Sequence, residues 1–439
     1  MVAPVSNYEF ELFKKFSSHD AFPIAEEWLE RLKSLPGVAD GQISGELRRG
    51  KYSIDHLDLV LAVDNPAAAH AVVLDTLFPL YVQEDRENCI AVLLPSGIKM
   101  VIWLAAAGTQ YVYQLLLTTG SENHLDKLTS LAAEKGLKLN HSGIFQSNSA
   151  LAFHQEEDIY NLLGLPWIPP ELRESGDLAA QMQTMDLGSL IQRADILSDL
   201  HVHSTWSDGK NSIAEMAETA MQLGYTHIAI CDHSPHLIKK YTDASYFMQQ
   251  ADEIDRLQQD LKDGLTILKG VEVDILPDGS LDLPAEMLAR MDIVVASMHV
   301  ALDQPMEQST ARLIRAIENP YVNIIGHPGG RIYPMVDLID LDWERVCRAA
   351  AFNQVALEIN SHKSHPIFDD RKVRLAVSLG VEIALDSDSH NTAMMTNSRY
   401  GIAIARRAGL KRDQVINTWS LTHLKLWLKR KRELISKGR

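Results

Sequence analysis

The feature that most constrains this 439-residue sequence is a series of short apolar stretches that each end in ionisable or polar side chains. Seven such stretches lie in the second half of the chain, at 196–202, 226–232, 266–273, 292–298, 322–327, 355–360 and 381–387. Amphipathic stretches separate them, and the first begins with the capping-box pair Ser212 and Glu215 and ends before Gly224. Strands that alternate with helices predict a parallel α/β sheet with crossovers, closed or nearly closed into a seven-stranded barrel.

Histidine and carboxylate side chains follow six of these seven predicted strands. The candidate metal ligands are His201, His203, Asp208, His233, Glu272, His299, His327, Asp388 and His390. A single histidine beside a strand is usually an ordinary core or surface residue, so the prediction depends on the repetition. The carboxyl ends of barrel strands meet at one rim, where barrel active sites form. The seventh strand ends in Glu358 and Asn360, which would suit hydrogen bonds to the ligands.

Nine nitrogen and oxygen donors exceed what one ion needs, so the set predicts two or three divalent ions, with Glu272 as a bridge. Imidazole and carboxylate suit manganese, zinc or iron and do not choose between them. Such ions clamp the oxygens of a phosphoryl centre and supply hydroxide at neutral pH. The sequence therefore predicts a metal-dependent phosphoester hydrolase. Its predicted catalytic residues are His201, His203, Asp208, Glu272 and Arg331.

Two basic segments near the predicted rim have two interpretations each. Arg331, after two glycines, either grips a phosphate with its guanidinium or ends a tight turn in solvent. His236, Lys239 and Lys240 could contact phosphate too, but a solvated loop is the more common case. The basic segment that ends the chain fits a solvated last helix better than a phosphate patch.

The composition limits the kinds of partner that the protein can bind. A net charge of −16 argues against a protein that coats nucleic acid through bulk electrostatics. We expect a cytoplasmic protein, because there is no long apolar run, no signal-peptide pattern at the start and no paired cysteine framework among three distant cysteines.

The three prolines within 163–177 predict a boundary, which divides the chain into residues 1–165, a linker at 166–194, and residues 195–439. The first part, with strand-like 57–63, 89–95 and 99–105, predicts a smaller α+β domain.

The motifs HVHSTWSDG, CDHS, GVEVDILPDGSLDLP, ASMH, GHPGGR, LEIN and DSDSH together resemble a PHP (polymerase and histidinol phosphatase) domain. They are most similar to the PHP domain at the C-terminus of bacterial family X DNA polymerases. The resemblance implies a distorted seven-stranded barrel with a trinuclear metal site and phosphoesterase activity. In such polymerases this activity includes manganese-dependent 3′→5′ exonuclease and DNA-end processing, so the implied substrate is a DNA 3′ end.

Residues 1–165 resemble the nucleotidyltransferase-like palm and thumb of the same polymerases, but the catalytic groups differ. The metal-binding Asp-x-Asp pair is His56-Leu57-Asp58, and no acid stands near Val101, where the third carboxylate is expected. Gly45-Glu46 replaces the Gly-Ser that receives the triphosphate. Two-metal phosphoryl transfer cannot proceed on one carboxylate, so we expect no polymerase activity and a structural or solvent-facing Asp58.

Two other functions remain open. A small-molecule phosphomonoesterase, similar to histidinol phosphate phosphatases, is favoured by the acidic net charge. A non-catalytic scaffold in DNA repair would use the degenerate N-terminal half, but it would not need the complete set of metal ligands.

Overall fold

The computed structural model describes residues 15–147, 149–174, 187–238, 245–261, 264–329, 339–363 and 368–436. Contacts within the chain divide it into two compact units, Met1–Gly188 and Ser189–Arg439. Among the described helices, none is both long and apolar enough to cross a membrane.

The first unit is an α+β structure built on a five-stranded sheet. Its strands are Phe16–Ser17 (β1), Val38–Ile43 (β2), Ser53–Ile54 (β3), Leu57–Val63 (β4), Tyr81–Arg86 (β5), Cys89–Leu93 (β6), Lys99–Ala106 (β7), Leu137–Asn140 (β8), Gly143–Gln146 (β9) and Ser149–Ala150 (β10). Its α-helices are Ser18–Lys33, Gly45–Arg48, Pro66–Leu77, Thr109–Thr119, Glu122–Glu134 and Glu156–Leu162.

The main sheet has the order β2-β4-β7-β6-β5, and β8, β9 and β10 form a separate small sheet. Strand β4 is buried along its whole length, as its apolar sequence predicts, and it pairs in parallel with β7. The three strands predicted from sequence in this half are confirmed, although the one at 89–95 ends earlier, at Leu93.

The second unit is a seven-stranded parallel barrel. Its strands are Ser198–Val202 (β11), His227–Ile230 (β12), Thr266–Asp274 (β13), Ile293–Ser297 (β14), Ile324–Ile325 (β15), Ala356–Asn360 (β16) and Ile383–Asp386 (β17). They pair in chain order from β11 to β17, and every pair is parallel. A parallel bridge between Val202 and Ser389 brings the two edges together, so the barrel is nearly closed. The predicted fold class is confirmed, with β15 reduced to two residues.

Helices surround the barrel and close one end. They are Ile213–Gln222, Pro235–Ile238, Tyr246–Leu261, Ala285–Leu288, Met306–Glu318, Trp343–Asn353, Asp370–Ser378, Ser398–Ala408 and Leu421–Ser436. The predicted capping box of Ser212 and Glu215 is present, and Gly224 has the positive φ of 80° expected after a helix. The last helix places Leu424, Trp427 and Leu428 against the inner side chains of the strands.

Candidate metal centre

On strands β13 and β17 the inward face changes from apolar to ionisable along the length of the strand. On β13, Leu268 belongs to the inner apolar cluster, whereas Glu272 and Asp274 follow on the same face because side chains alternate with period two. Strand β17 repeats the pattern, with apolar Ala384 followed by Asp386. The apolar residues thus fill one end of the barrel, and the ionisable ones collect at the carboxyl ends of the strands.

Glu272 lies at the centre of this cluster and is buried. Its Oε1 is 3.0 Å from Nε2 of His327 and 3.4 Å from Nε2 of His299. Its Oε2 is 2.7 Å from Nδ1 of His233 and 3.5 Å from Nε2 of His201. The two carboxylate oxygens therefore face four imidazoles that come from four different strand ends.

A second group lies on the solvent side of the cluster. Asp208 has a side chain that is 48% exposed, and its oxygens are 3.3 Å from Nε2 of His390 and 3.7 Å from Nε2 of His233. The rings of His203 and His390 stack with centroids 4.2 Å apart. His203 also approaches Asp388, with Nε2 at 3.1 Å from Oδ1. Asp208 is the one of the nine candidate ligands that is open to solvent at the mouth of the barrel.

The donor atoms form three overlapping sets that could each hold a metal ion. The sets are His203, Asp208, His233 and His390; His201, His203 and Asp388; and His233, Glu272 and His299, with the atoms of each set within 4.8 Å of one another. His327 belongs to none of the three sets, although it contacts Glu272.

The hydrogen bonding of these side chains fits a metal. The Nε2 atoms of His201, His203 and His233 are buried, and none has a hydrogen-bond partner among the described residues. Buried polar atoms are normally satisfied, because an unmade hydrogen bond costs about 1–3 kcal/mol. Carboxylate oxygens lie 3.1–3.7 Å from these nitrogens. An ion between nitrogen and oxygen would satisfy both, so the donor set fits divalent metal ions.

The carboxylates and imidazoles of the cluster shift one another's pKa values in both directions. Burial lowers the pKa of His203 to about 3, and the neighbouring imidazoles of His390 and His233 contribute to the same effect. Burial raises the pKa of Glu272, but the surrounding imidazoles outweigh it and hold the pKa well below the ordinary value. A neutral imidazole and an ionised carboxylate are the forms that bind metal ions. Burial lowers the pKa of His233 and His299, but Glu272 outweighs it and raises these values to about 10 and 9, so an ion would have to displace protons from these two rings.

Buried side chains outside the cluster orient the imidazoles of the candidate ligands. Nδ1 of His201 is 2.7 Å from Glu358, and Asn360 donates through Nδ2 to both Glu358 and Asp388, at 2.9 and 3.2 Å. Hydrogen bonds between Glu358 or Asn360 and the candidate ligands were expected from the sequence, and the geometry confirms them. A bond through Nδ1 fixes the ring so that Nε2 faces the centre.

Three buried acids that each stand two residues from a predicted ligand were missed by the sequence analysis. Asp274 lies 2.5 Å from Nδ1 of His299 and orients that ring. Asp199 accepts from the main-chain N–H of Ser387, and Asp386 accepts at 2.6 Å from the main-chain N–H of Leu200, which ties the first strand to the last. Each of these acids stands two residues from a predicted ligand, so the strand period alone could have identified them.

The backbone is strained at two of the candidate ligands. His327 and Asp388 have φ values of 27° and 51°, in the region that residues other than glycine rarely adopt. Before His327, a Cβ on Gly326 would lie 2.3 Å from the Oγ of Ser297, so only glycine fits there. The main-chain N–H of His327 donates a hydrogen bond to Oε2 of Glu358 at 2.6 Å, which helps to hold the strained turn.

Some residues predicted at the rim cannot be placed. Arg331, Lys239 and Lys240 lie outside the described residues. His236 is exposed, and its main-chain N–H donates to Asp282.

The corresponding face of the first unit has no such cluster of donors among its described residues. Asp58 is 8% exposed, and its two oxygens contact Nε2 of His56 at 3.1 Å and Nε1 of Trp103 at 3.4 Å. Val101 pairs in register with Asp58 and belongs with Trp103 to a small apolar cluster. Glu46, where the resemblance places the triphosphate, is bound instead to Lys51. The remaining carboxylate is therefore a structural acid on an apolar face.

Comparisons with known proteins agree with both units. The family model of the DNA polymerase beta thumb matches residues 114–174, and that of the PHP domain matches residues 199–362. The DNA polymerase/3′-5′ exonuclease PolX of Bacillus subtilis (strain 168) is 34% identical over 422 residues, which cover 95% of this chain and 73% of that protein. A probable phosphatase of Thermoanaerobacter sp. (strain X514) is 34% identical over 255 residues, which cover 55% of this chain and 97% of that protein.

The parallel barrel and the histidine and carboxylate cluster at its mouth define a PHP domain, a class of metal-dependent domains. The similarity extends through the N-terminal half, where the thumb model matches, and over nearly the whole chain. This chain belongs to the PolX family.

Proposed function

We propose that this protein is a phosphoester hydrolase that uses two or three manganese, zinc or iron ions in its PHP barrel and removes nucleotides or blocking groups from DNA 3′ ends. The observation that carries the proposal is the set of buried Nε2 atoms at the barrel mouth, which face carboxylate oxygens and have no hydrogen-bond partner in the part of the chain that the structure describes. The likeness to a PolX protein named as a 3′-5′ exonuclease supports DNA as the substrate.

Divalent ions held here would supply Lewis-acid activation of a phosphoester and of water. The six imidazoles and three carboxylates of the cluster would hold them. Eight of these side chains belong to the three sets, which give positions for up to three ions, and the ninth, His327, contacts Glu272. Glu272 would bridge, because its two oxygens face different imidazoles.

The remaining side chains have positioning roles. Glu358 and Asp274 accept from Nδ1 of His201 and His299 and so direct Nε2 of each ring inward. Asp208, the exposed ligand, would meet the substrate first. For Arg331, beside this rim in sequence, we propose a contact with the phosphate of the substrate, through the bidentate geometry of its guanidinium.

We further propose that the N-terminal half performs no nucleotide transfer and instead positions the substrate. Two-metal transfer needs a set of carboxylates, and Asp58 is a single acid whose oxygens already contact His56 and Trp103. The proposed division of the chain is palm and thumb at 1–165, linker at 166–194 and PHP domain at 195–439. Absence of template-directed extension by the full chain, with magnesium or manganese, is the expected result.

The test is hydrolysis of labelled single-stranded and gapped DNA by the full chain in the presence of manganese. We expect stepwise shortening from the 3′ end. The rate of shortening should fall by at least about 100-fold in His203→Ala, because that side chain belongs to two of the three sets of candidate ligands. Shortening that persists in His203→Ala would come from a contaminant and would contradict the proposal.

A second candidate is a phosphatase for small phosphomonoesters. Two observations favour it: relatives named probable phosphatases match this chain over nearly their own full length, and the chain carries a net charge of −16. Turnover of a phosphomonoester panel, lost in His203→Ala and without any activity on phosphodiester DNA, would decide for this function.

A further inference from the structure

Four exposed apolar side chains of the first unit lie within ten residues of sequence, in the helix Pro66–Leu77, after it and at the start of strand β5. Val72, Phe78, Leu80 and Tyr81 have exposures of 40, 82, 67 and 64%, and we call them the edge patch. They are four of the eight large hydrophobic residues that are exposed in the described part of the chain. Single exposed apolar residues are common, but several of them close together in sequence and beside an open groove are typical of an interaction surface.

The backbone presents the patch at a conformational cost. Phe78 ends the helix Pro66–Leu77 with φ 44° and ψ 58°, the left-handed conformation that glycine usually adopts at this place. For a bulky residue this costs on the order of 1 kcal/mol. The ring gains little from packing in return, because it is 82% exposed. A strained and exposed aromatic side chain therefore suggests a binding role rather than a role in folding.

The patch adjoins a groove and an open strand edge. The groove has a volume of about 550 Å³, lies between the helix Pro66–Leu77 and strand β5, and is lined by half-buried Leu74 and Val82 as well as Phe78. Strand β5 is the last strand of the sheet and, within the described ranges, pairs only with β6. An extended peptide can add to such an edge through main-chain hydrogen bonds while its side chains enter the groove.

The acidic residues around the edge patch indicate the charge of the partner that would bind there. Residues 64–88 contain five acids and one arginine, and that arginine, Arg86, is bound to Glu84. Asp85, 58% exposed, contacts His70 at 2.8 Å beside the groove. A second copy of this chain would bring the same acidic groups together, and like charges across strands are destabilising. A basic partner would be attracted instead.

We propose that the edge patch is a docking surface for an extended segment of a partner protein in which apolar side chains alternate with lysine or arginine. The apolar side chains fill the groove beside Phe78 and Leu80, and the basic ones face the acids of strand β5. This surface lies on the polymerase-like unit and gives that unit a recruiting role that is independent of the barrel chemistry.

The probe is a short labelled peptide in which leucine and phenylalanine alternate with lysine, measured by fluorescence anisotropy with the full chain. Two further peptides serve as comparisons: one with glutamate in place of lysine, and one of the same composition in scrambled order. We expect binding of the basic alternating peptide to be at least about tenfold tighter than that of either comparison, and to weaken as salt rises.

The variant Phe78→Gly removes the ring and relieves the left-handed strain, so it should fold at least as stably as the wild type. We expect it to weaken peptide binding by about tenfold or more. The control is Phe352→Ser, which removes a phenylalanine that is 72% exposed in the other unit, and binding should not change.

Equal binding of the basic and acidic peptides, or equal loss in both variants, would overturn the proposal. Sedimentation velocity provides the other decisive measurement. Concentration-dependent dimerisation that disappears in Phe78→Gly would assign the surface to a second copy and would also overturn it.

Discussion

Replacement of Glu358 by glutamine tests how the barrel orients its candidate metal ligands. Glu358 is fully buried and accepts three hydrogen bonds: from Nδ1 of His201 at 2.7 Å, from the main-chain N–H of His327 at 2.6 Å and from Nδ2 of Asn360 at 2.9 Å. Glutamine keeps the shape but offers one acceptor oxygen and places an NH2 group against at least one donor. At least one charge-assisted hydrogen bond is therefore lost.

The magnitude follows from that loss. A hydrogen bond to a charged group contributes about 1.5–3 kcal/mol, and about 1.4 kcal/mol corresponds to a tenfold change in an equilibrium constant. We therefore expect Glu358→Gln to weaken metal affinity by about 10- to 100-fold, which is the usual range for residues that orient a ligand histidine. Because Glu358 contacts ligands and not the substrate, the rate should fall at limiting metal and recover at saturating metal.

The assay is competition for manganese or zinc with a chromophoric chelator, together with phosphodiester hydrolysis across a range of metal concentrations. The control is Glu218→Gln, which removes a carboxylate from the exposed face of the helix Ile213–Gln222. Unchanged metal affinity would refute the reasoning. A rate that stays low at saturating metal would refute it too, because Glu358 would then act on the reaction itself.

Two further predictions concern stability. Glu156 is 5% exposed and pairs with Arg48 and Arg173, so Glu156→Ala leaves two guanidinium groups without their carboxylate. We expect the free energy of unfolding of the first unit, measured in urea, to fall by about 3–5 kcal/mol. An unchanged midpoint of the urea transition would contradict this. Burial raises the pKa of Glu156, but both arginines outweigh it and hold the pKa below its ordinary value. The ionised carboxylate therefore contributes fully to the free energy of unfolding above the pKa of the unfolded chain, and this contribution is lost as the pH falls through the pKa of the folded chain. Burial lowers the pKa of Lys431 from 10.5 to about 7, so the unfolded chain binds more protons between these values and stability should rise with pH across that window. Lys431→Met should remove this rise in thermal unfolding, and a slope that persists would place its source elsewhere.

The barrel was predictable because its strands alternate regularly with helices, and because inward and outward side chains alternate along each strand. On β13 the inward positions run from Leu268 through Gly270 to Glu272, and a period of two is readable without any tertiary information. The same reading places ligands from different strands at one rim, since parallel strands share a direction. The side chains gathered there, His201 and His233 among them, are those named from the sequence.

Other features depend on tertiary contacts that no local pattern encodes. The last helix was expected to be solvated on account of its charge. In the structure Lys431 is 5% exposed and donates to the main-chain carbonyls of Ile317 and Val322. The positive φ of His327 also has no signal in its own sequence, because the turn is held by Glu358 from a neighbouring strand. Charge alone does not show which lysine of a helix faces a packed neighbour.

Asp58 and Glu272 show why the two halves of the chain have different capacities for metal, although each presents a carboxylate from a buried strand. The oxygens of Asp58 contact the donors His56 and Trp103 on a face that Val101 keeps apolar. An ion there would have to displace those contacts and would find no second carboxylate. Around Glu272, buried imidazole nitrogens face carboxylate oxygens without hydrogen bonds among the described residues, so an ion completes the polar contacts instead of breaking them. The state of the hydrogen bonds, more than the presence of an acid, therefore distinguishes the candidate metal centre of the barrel from the site around Asp58.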